Sequence, residues 1–210
     1  MTSLVLMTVI QLGIFGFSIE NGYADSPCED IDVSNLPDFD NTISGTQEND
    51  KLEGTGDNDC IAALSGNDIV DGNSGNDVII GDDGNDKIQG SEGDDIVSGG
   101  PGSDLMRGDA GDDILFDCCG KNKIQGGDGN DVLTGGGAAD VIDGGDGNDR
   151  INGNGGKDVL IGGKGDDAMR GSEGADTFNC GPGNDTVESF NPEEGDKASS
   201  NCETINQVEE

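Results

Sequence analysis

Apolar residues recur with a period of nine along the middle of the chain. One stands at every ninth position over sixteen consecutive rows, without an insertion or a deletion. Neighbouring residues on a strand point to opposite faces, so a short strand centred on each apolar residue turns only that residue inward. The pattern predicts sixteen short strands whose central residues form the core: Leu52, Ile61, Val70, Ile79, Ile88, Val97, Met106, Leu115, Ile124, Leu133, Ile142, Ile151, Leu160, Met169, Phe178 and Val187.

A glycine-rich polar turn precedes each predicted strand. Two residues before each apolar residue lies an Asp, replaced in one row by Asn122, and we call this the ladder position. Glycine stands two residues before the ladder position in thirteen of the sixteen rows, and five residues before it in a different set of thirteen rows. Glycine supplies positive φ and lets backbone carbonyls face inward. Two rows complete a coil of 18 residues. We therefore predict an all-β parallel solenoid over residues 45–188, with two eight-stranded sheets in which each row stacks on the second row after it.

This stacking brings the ladder aspartates into two columns. Carboxylates about 5 Å apart repel each other by roughly 3 kcal/mol per pair at an effective dielectric constant of about 20. A divalent cation between stacked turns removes this repulsion, and a donor set of carboxylate and carbonyl oxygens favours Ca²⁺ over Mg²⁺. The predicted calcium ligands are Asp50, Asp59, Asp68, Asp77, Asp86, Asp95, Asp104, Asp113, Asp131, Asp140, Asp149, Asp158, Asp167, Asp176 and Asp185.

The composition agrees with a repeat protein whose charge is neutralised by a bound cation. The 210 residues include 45 Asp and Glu but only 10 Lys and Arg, which gives a formal net charge of −35. This charge excludes nucleic acid as a partner. The absence of His excludes a Ser-His-Asp triad and a His-ligated zinc site. Glycine-rich acidic chains are often disordered, but the excess of Asp over Glu and the strict period favour the folded repeat.

Several rows resemble the nonapeptide of the RTX, or haemolysin-type calcium-binding, family. GGDGNDVLT (126–134), GGDGNDRIN (144–152) and GGKGDDAMR (162–170) are similar to its G-G-x-G-x-D-x-U-x pattern, in which U is large and apolar. The resemblance implies a right-handed parallel β-roll. It also implies that each Ca²⁺ lies between the turns of rows n and n+2, held by both ladder aspartates and by turn carbonyls. Of fourteen stacked pairs, two contain Asn122, which leaves about 12 calcium sites with two carboxylates.

The turn that ends at Asn122 departs from the pattern. It reads Asp117-Cys118-Cys119-Gly120-Lys121-Asn122 and is followed by Lys123. The lost carboxylate and the two lysines suggest a site without Ca²⁺ whose charge is balanced by Lys121 or Lys123. The alternative is that Asn122 still binds calcium through its amide oxygen.

The two ends of the chain lack the nonapeptide repeat. The uncharged segment 1–19 and the small residues before Asp25 resemble a secretory signal over residues 1–24, with an uncleaved membrane anchor as the alternative. Either interpretation predicts export. Residues 25–44 are predicted as an N-terminal cap and residues 189–210 as a C-terminal cap, in which Phe190 and Ile205 cover the last coil.

Six cysteines in an exported chain favour disulfides over free thiols. We expect Cys180 to pair with Cys202 and Cys28 to pair with Cys60, one bridge at each end of the repeat. Cys118 and Cys119 are adjacent, and either pair with each other or stay free. No C-x-x-C spacing supports a thiolate metal site.

These observations predict a secreted calcium-binding β-roll that folds on binding Ca²⁺ outside the cell and has a structural or adhesive role at the cell surface. We expect no enzymatic activity, because about 20 mature residues before the array are too few for a catalytic domain. One alternative is calcium-dependent ice binding through outward threonines such as Thr46 and Thr55. Another is an accessory module of a secreted enzyme.

Residues that flank the inward positions on one predicted sheet form an apolar strip. Stacked strands bring them together on an otherwise acidic surface, which suggests a docking face for a second copy or another protein. The alternative is that these residues only favour strand formation. The strip comprises Val78, Ile80, Ile96, Ile114, Phe116 and Val132.

Overall fold

The computed structural model describes residues 39–207, and this part of the chain consists of strands and turns without a helix. The predicted signal or anchor over residues 1–24 therefore lies outside the described residues, as does Cys28. No helix within residues 39–207 is long and apolar enough to cross a membrane.

Nineteen strands form two parallel sheets in the described range. The first sheet contains, in spatial order, β1 (Asn41–Ser44), β3 (Asp59–Ala62), β5 (Val78–Ile80), β7 (Ile96–Ser98), β9 (Ile114–Phe116), β11 (Val132–Gly136), β13 (Arg150–Gly156), β15 (Ala168–Gly174), β17 (Thr186–Phe190) and β19 (Thr204–Gln207). The second contains β2 (Lys51–Glu53), β4 (Ile69–Ser74), β6 (Lys87–Glu92), β8 (Leu105–Ala110), β10 (Lys123–Asp128), β12 (Val141–Asp146), β14 (Val159–Lys164), β16 (Thr177–Asn179) and β18 (Lys197–Ala198).

Successive strands alternate between the sheets, so each strand pairs with the second strand after it. Within the repeat, paired residues are 18 positions apart, as in the pairing of Ile96 with Ile114 and of Ile114 with Val132. This confirms the predicted all-β parallel solenoid and its coil of 18 residues. Because the nine-residue period is unbroken, this is the register that places every inward apolar residue in the core.

The sheets have ten and nine strands instead of the eight predicted for each, because strands also form in the segments predicted as caps. Asn41 lies nine residues before Asp50 and pairs with Asp59, so β1 behaves as one more row. At the other end, β18 joins its sheet after a two-residue insertion, and Thr177 pairs with Lys197.

The main core is a stack of the inward residues, and a smaller separate cluster is formed by Cys60, Ala62 and Val78. Of the sixteen predicted core residues, all but Leu52 are buried, and Leu52 packs against the main cluster. Phe190 also packs on this cluster, with its ring centroid 6.2 Å from that of Phe178, as expected for a residue that covers the last coil. Ile205 pairs with Val187, the last inward residue of the repeat, and is itself 39% exposed because it lies in β19, the last strand of its sheet.

Two disulfides lie within the described residues. Cys180 is bonded to Cys202, as predicted, and this bridge ties the last coils together. Cys118 is bonded to Cys119, which decides between the two alternatives for this pair. Cys60 is buried and is not a free thiol, and its predicted partner Cys28 lies outside the described range.

Candidate metal centre

One oxygen of each ladder carboxylate forms part of a hydrogen-bond ladder between coils. The backbone N–H of Asp68 donates to Oδ1 of Asp86 at 2.8 Å, and that of Asp86 donates to Oδ1 of Asp104 at 2.7 Å. The same bond recurs down both columns. From Asp68 onward every ladder residue is buried, with at most 4% of its surface exposed. The ladder therefore fixes each carboxylate inside the roll.

The second oxygen, Oδ2, has no hydrogen-bond partner in thirteen of these buried carboxylates. A buried carboxylate oxygen without a partner is strongly unfavourable, because it has lost its hydration without compensation. The thirteen residues are Asp68, Asp77, Asp86, Asp95, Asp104, Asp113, Asp131, Asp140, Asp149, Asp158, Asp167, Asp176 and Asp185.

Backbone carbonyls of the next coil face several of these free oxygens. A methyl group placed on Gly81 would lie 2.6 Å from Oδ2 of Asp86 and 2.5 Å from the carbonyl oxygen of Gly99. This explains the glycine five residues before the ladder position: any side chain there would fill the space between the two oxygens. Carboxylate and carbonyl oxygens are both acceptors, so only a cation or a proton can satisfy them together. All-oxygen donors fit a hard cation such as Ca²⁺.

Without a cation, burial raises the pKa of most ladder carboxyls and so favours their protonated form. Loss of solvation is the main cause and neighbouring carboxylates add to it, while the N–H bonds of the ladder act in the opposite direction. Together these effects raise the pKa of Asp113 to about 8. The pKa rises to about 7 at Asp86, Asp95, Asp140 and Asp149, and to about 6 at Asp77, Asp131 and Asp176.

A family model described as the RTX calcium-binding nonapeptide repeat matches residues 38–70, 63–90, 71–106, 80–115, 120–151 and 152–187, which together form most of the chain. The chain belongs to this RTX family. It is a calcium-binding RTX β-roll, as the nonapeptide resemblance implied. A search of curated proteins found no match.

The RTX site combines carboxylates with main-chain oxygens. Within residues 39–207, no group of three or more acidic or thiol side chains forms a separate metal cluster. Two ladder carboxylates from successive coils and the carbonyls of their turns are thus the donor set that this roll offers. This arrangement differs from a compact side-chain cage because backbone carbonyls are among the donors.

The first two rows depart from this arrangement. Oδ2 of Asp50 accepts hydrogen bonds from the N–H (2.6 Å) and hydroxyl (2.8 Å) of Thr46, and Thr55 bonds to Asp59 in the same way. In both of these predicted ligands, Oδ2 therefore has hydrogen-bond partners within its own turn. Ten of the twelve predicted pairs keep two free carboxylate oxygens, because the pairs that contain Asp50 or Asp59 each lose one. The threonine hydroxyls considered for ice binding are engaged by the roll itself.

The contacts of Asn122 bear on its two interpretations. Its Oδ1 accepts the N–H of Asp104 at 2.9 Å, so the amide oxygen takes the ladder role. Its Nδ2 donates to the carbonyl of Gly135 at 3.3 Å and to two carbonyls of its own turn. The amide thus donates to the Gly135 carbonyl of the next coil, the kind of carbonyl that at Asp86 faces a free Oδ2. The prediction that no calcium lies between Asn122 and Asp140 therefore stays open to test. Lys121 and Lys123 are exposed and form no ion pair in the described part of the chain, so they do not supply the predicted charge balance.

Asp117 was not among the predicted site residues, although it stands at a position that is glycine in most rows. Asp117 is buried, and its Oδ2 has no hydrogen-bond partner. Burial, reinforced by the neighbouring carboxylate of Asp104, raises the pKa of Asp117 to about 9. Its position in the glycine column was the available signal, because an acid there must point into the space between coils.

Three further polar residues continue the ladder beyond the predicted limits. Asn41 donates its amide to Oδ1 of Asp59 at 2.7 Å at the first coil. At the other end, Asp196 accepts the N–H of Asp176 at 2.8 Å, and Glu203 accepts that of Asp185 at 2.9 Å. Asn41 and Glu203 keep the nine- or eighteen-residue spacing and could have been found from it, whereas the insertion before Asp196 breaks that spacing.

The predicted apolar strip is contiguous but only partly accessible. Pairing places Val78 beside Ile96 and Ile96 beside Ile114. However, Val78 is 6% exposed and Phe116 only 3%, while Ile80, Ile96, Ile114 and Val132 are half-buried. The strip is thus less open than an unpartnered docking face. The most exposed large apolar residues of the repeat lie on the other sheet: Ile69, Val141 and Val159.

Proposed function

We propose that this RTX β-roll is an extracellular protein that folds when it meets Ca²⁺ outside the cell and then has a structural or adhesive role at the cell surface. The observation that carries the proposal is the set of buried carboxylate oxygens without partners, several of which face a backbone carbonyl of the next coil. A roll with ionised carboxylates and no cation is unfavourable, whereas Ca²⁺ satisfies both oxygens. Metal binding therefore contributes directly to the free energy of folding.

The concentration of Ca²⁺ then decides where the chain folds. Extracellular calcium modules bind with dissociation constants of about 10⁻⁴–10⁻³ M, far above cytosolic free Ca²⁺. A chain with sites of this class stays unfolded during export and folds afterwards. RTX repeat proteins are typically secreted, and the Cys180–Cys202 disulfide is consistent with an oxidising compartment. Mass spectrometry of the exported protein tests whether the first 24 residues are removed.

The direct test of coupled folding is far-UV circular dichroism of the purified chain. We expect a coil-like spectrum in metal-free buffer at pH 7.5, a β spectrum at millimolar Ca²⁺, and little change with Mg²⁺ at the same concentration. Mg²⁺ is the matched control because it has the same charge but requires a tighter octahedral shell. A stable β spectrum in metal-free buffer at this pH would contradict the proposal.

We further propose that the ladder carboxylates act as ligands and not as acid–base catalysts, so the roll itself has no enzymatic activity. Support comes from their repetition: thirteen of them have the same buried Oδ2 without a partner, whereas catalysis requires one pair in a particular setting. A screen of the calcium-loaded protein with glycoside and ester substrates tests this proposal, and turnover that is lost in a ladder variant would contradict it.

A surface role requires a partner. That the apolar strip binds this partner stays a prediction. If the half-buried Ile96 and Ile114 mediate self-association, replacing both with lysine should preserve calcium-driven folding and abolish the association. Replacement of Phe116 is less informative because it is buried. Sedimentation velocity in Ca²⁺ measures the self-association. Identical profiles for variant and parent would indicate that the strip residues only favour strand formation.

A further inference from the structure

Asp117 occupies a position at which most turns of this roll have glycine. It lies five residues before Asn122, and thirteen of the sixteen rows carry glycine at that distance from the ladder position. The matches to the RTX family model end at residue 115 and begin again at residue 120. The family pattern therefore gives Asp117 no role.

The carboxylate of Asp117 is held in place with one oxygen free. Its Oδ1 accepts the backbone N–H of Cys119 at 2.8 Å, while its Oδ2 has no hydrogen-bond partner. Asp104 has the same arrangement, with Oδ1 accepting the N–H of Asp86 and Oδ2 unpartnered. Each of the two acidic residues is only 3% exposed, so water does not compensate for the missing partners.

The two free oxygens point into one space. A methyl group on Gly99 would come within 2.8 Å of Oδ2 of Asp104 and still closer to Oδ2 of Asp117. This is the space that in a regular row lies between a ladder carboxylate and the carbonyl of the next coil. Here it contains a second carboxylate, so the requirement for a cation is greater than in a regular row.

No positively charged side chain meets this requirement in the described part of the chain. Lys121 and Lys123 follow in the sequence, but both are exposed and neither forms an ion pair there. Asn122, the ladder residue of this turn, is neutral, and its amide N–H groups donate to other carbonyls. The two carboxylates thus form an uncompensated pair inside the roll.

We propose that Asp117 and Asp104 together bind one Ca²⁺ ion at the level where Asn122 interrupts the ladder. Asp117 supplies from the glycine position the carboxylate that Asn122 lacks. The interruption therefore changes the ligand of one ion without removing that ion, and leaves empty only the next site between Asn122 and Asp140. This inference rests on the proposed calcium binding of the roll.

Native mass spectrometry of the calcium-saturated protein tests the assignment by counting bound ions. We expect Asp117→Asn, which removes the charge but keeps the shape, to bind one ion fewer than the parent. Asp128→Asn is the matched control because Asp128 is exposed and outside the ladder, and its count should equal that of the parent. An unchanged count in Asp117→Asn would overturn the proposal and would indicate two carboxyls that share a proton.

Asp117→Gly is the second variant. Most other turns have glycine at this position, so this variant should fold even if Asp117→Asn does not. We again expect the loss of one ion, together with a lower melting temperature in Ca²⁺. A count equal to or above that of the parent would overturn the proposal, since it would show that the turn binds calcium without this carboxylate. A parent protein that binds no calcium would instead contradict the proposed function.

Discussion

We expect the metal-free roll to fold at acidic pH, where its buried carboxyls are protonated and need no cation. Most of the buried ladder carboxyls have a raised pKa, about 6 at Asp77 and about 8 at Asp113 for example, so the folded state without metal binds more protons than the unfolded state. Such groups contribute their full stabilisation below the unfolded pKa and lose it as the pH rises through the folded value. The metal-free roll is therefore expected to be most stable near pH 4 and to unfold between about pH 6 and 8, the range of the raised pKa values.

The change in the free energy of unfolding follows from the difference between the folded and unfolded pKa values of each carboxyl. Relative to pH values below 3.8, ionisation at pH 7 destabilises the roll by about 3 kcal/mol for a group with a folded pKa of about 6, such as Asp77, and by about 4 kcal/mol for one of about 8, such as Asp113. A typical domain is stable by about 5–15 kcal/mol, so a few such groups are enough to unfold it. Eight ladder carboxyls have a pKa of about 6 or higher.

The assay is far-UV circular dichroism between pH 4 and 8, with and without millimolar Ca²⁺. Metal should be removed with a chelating resin, because soluble chelators lose affinity in acid, and light scattering should monitor aggregation as the charge of −35 is titrated. We expect the β spectrum to disappear with rising pH only in the metal-free samples. A metal-free β spectrum that is the same at pH 5 and pH 8 would refute the reasoning.

One substitution separates the carboxyl effect from general changes with pH. Asp113→Asn removes a buried ionisable group and places there an amide that can donate to the facing carbonyl, as Asn122 does. We expect the metal-free variant to stay folded to a higher pH, while the melting temperature in Ca²⁺ falls. The exposed Asp128→Asn serves as the control, and equal shifts in both variants would argue against a role for burial.

Three further predictions concern the turns and the end of the roll. Gly81→Ala should remove at least one bound ion and lower the melting temperature in Ca²⁺, because the new methyl group fills the space between two ligand oxygens; Gly56→Ala, with no atom within 4 Å, should change neither quantity in native mass spectrometry and thermal melts. Replacing Cys180 and Cys202 with alanine should destabilise the calcium-loaded roll by about 2–4 kcal/mol in urea titrations, and an unchanged midpoint would show that the bridge is dispensable. Asn122→Asp should increase the calcium count by one, since a carboxylate oxygen replaces the amide donor, and a constant count would mean that the native site is already filled.

The fold could be predicted from the sequence because one short rule is repeated many times. Val97 and Leu115 are buried for the same reason as the other inward residues: each is the centre of a strand that follows a glycine turn by a fixed number of residues. A period of nine without insertions allows one register that keeps them all inside. The positions of the ladder aspartates, such as Asp86 and Asp104, follow from the same register, and so does the choice of a hard cation.

The ends of the roll were less predictable because the repeat no longer sets the register there. The two-residue insertion before Asp196 hides a residue that still continues the ladder. Ile205 was expected to cover the last coil, and its own exposure depends on which segment stacks on the final strand. The accessibility of the apolar strip also depends on what packs over each sheet, and the pattern of a single strand does not contain this information.

The chemistry of individual sites was decided by the tertiary structure. The sequence places a carboxylate in each row, but only the coil 18 residues away determines which of its oxygens receives an N–H and which is left free. Thr46 donates to Oδ2 of Asp50, and the amide of Asn122 donates to a carbonyl that would otherwise face a carboxylate oxygen. Asp117 approaches the free oxygen of Asp104 from a position that is glycine in most rows. Local sequence fixes which residues face inward, because that depends on neighbours along one strand. The state of each calcium site depends on donors and acceptors from separate coils, which meet only after the roll has formed.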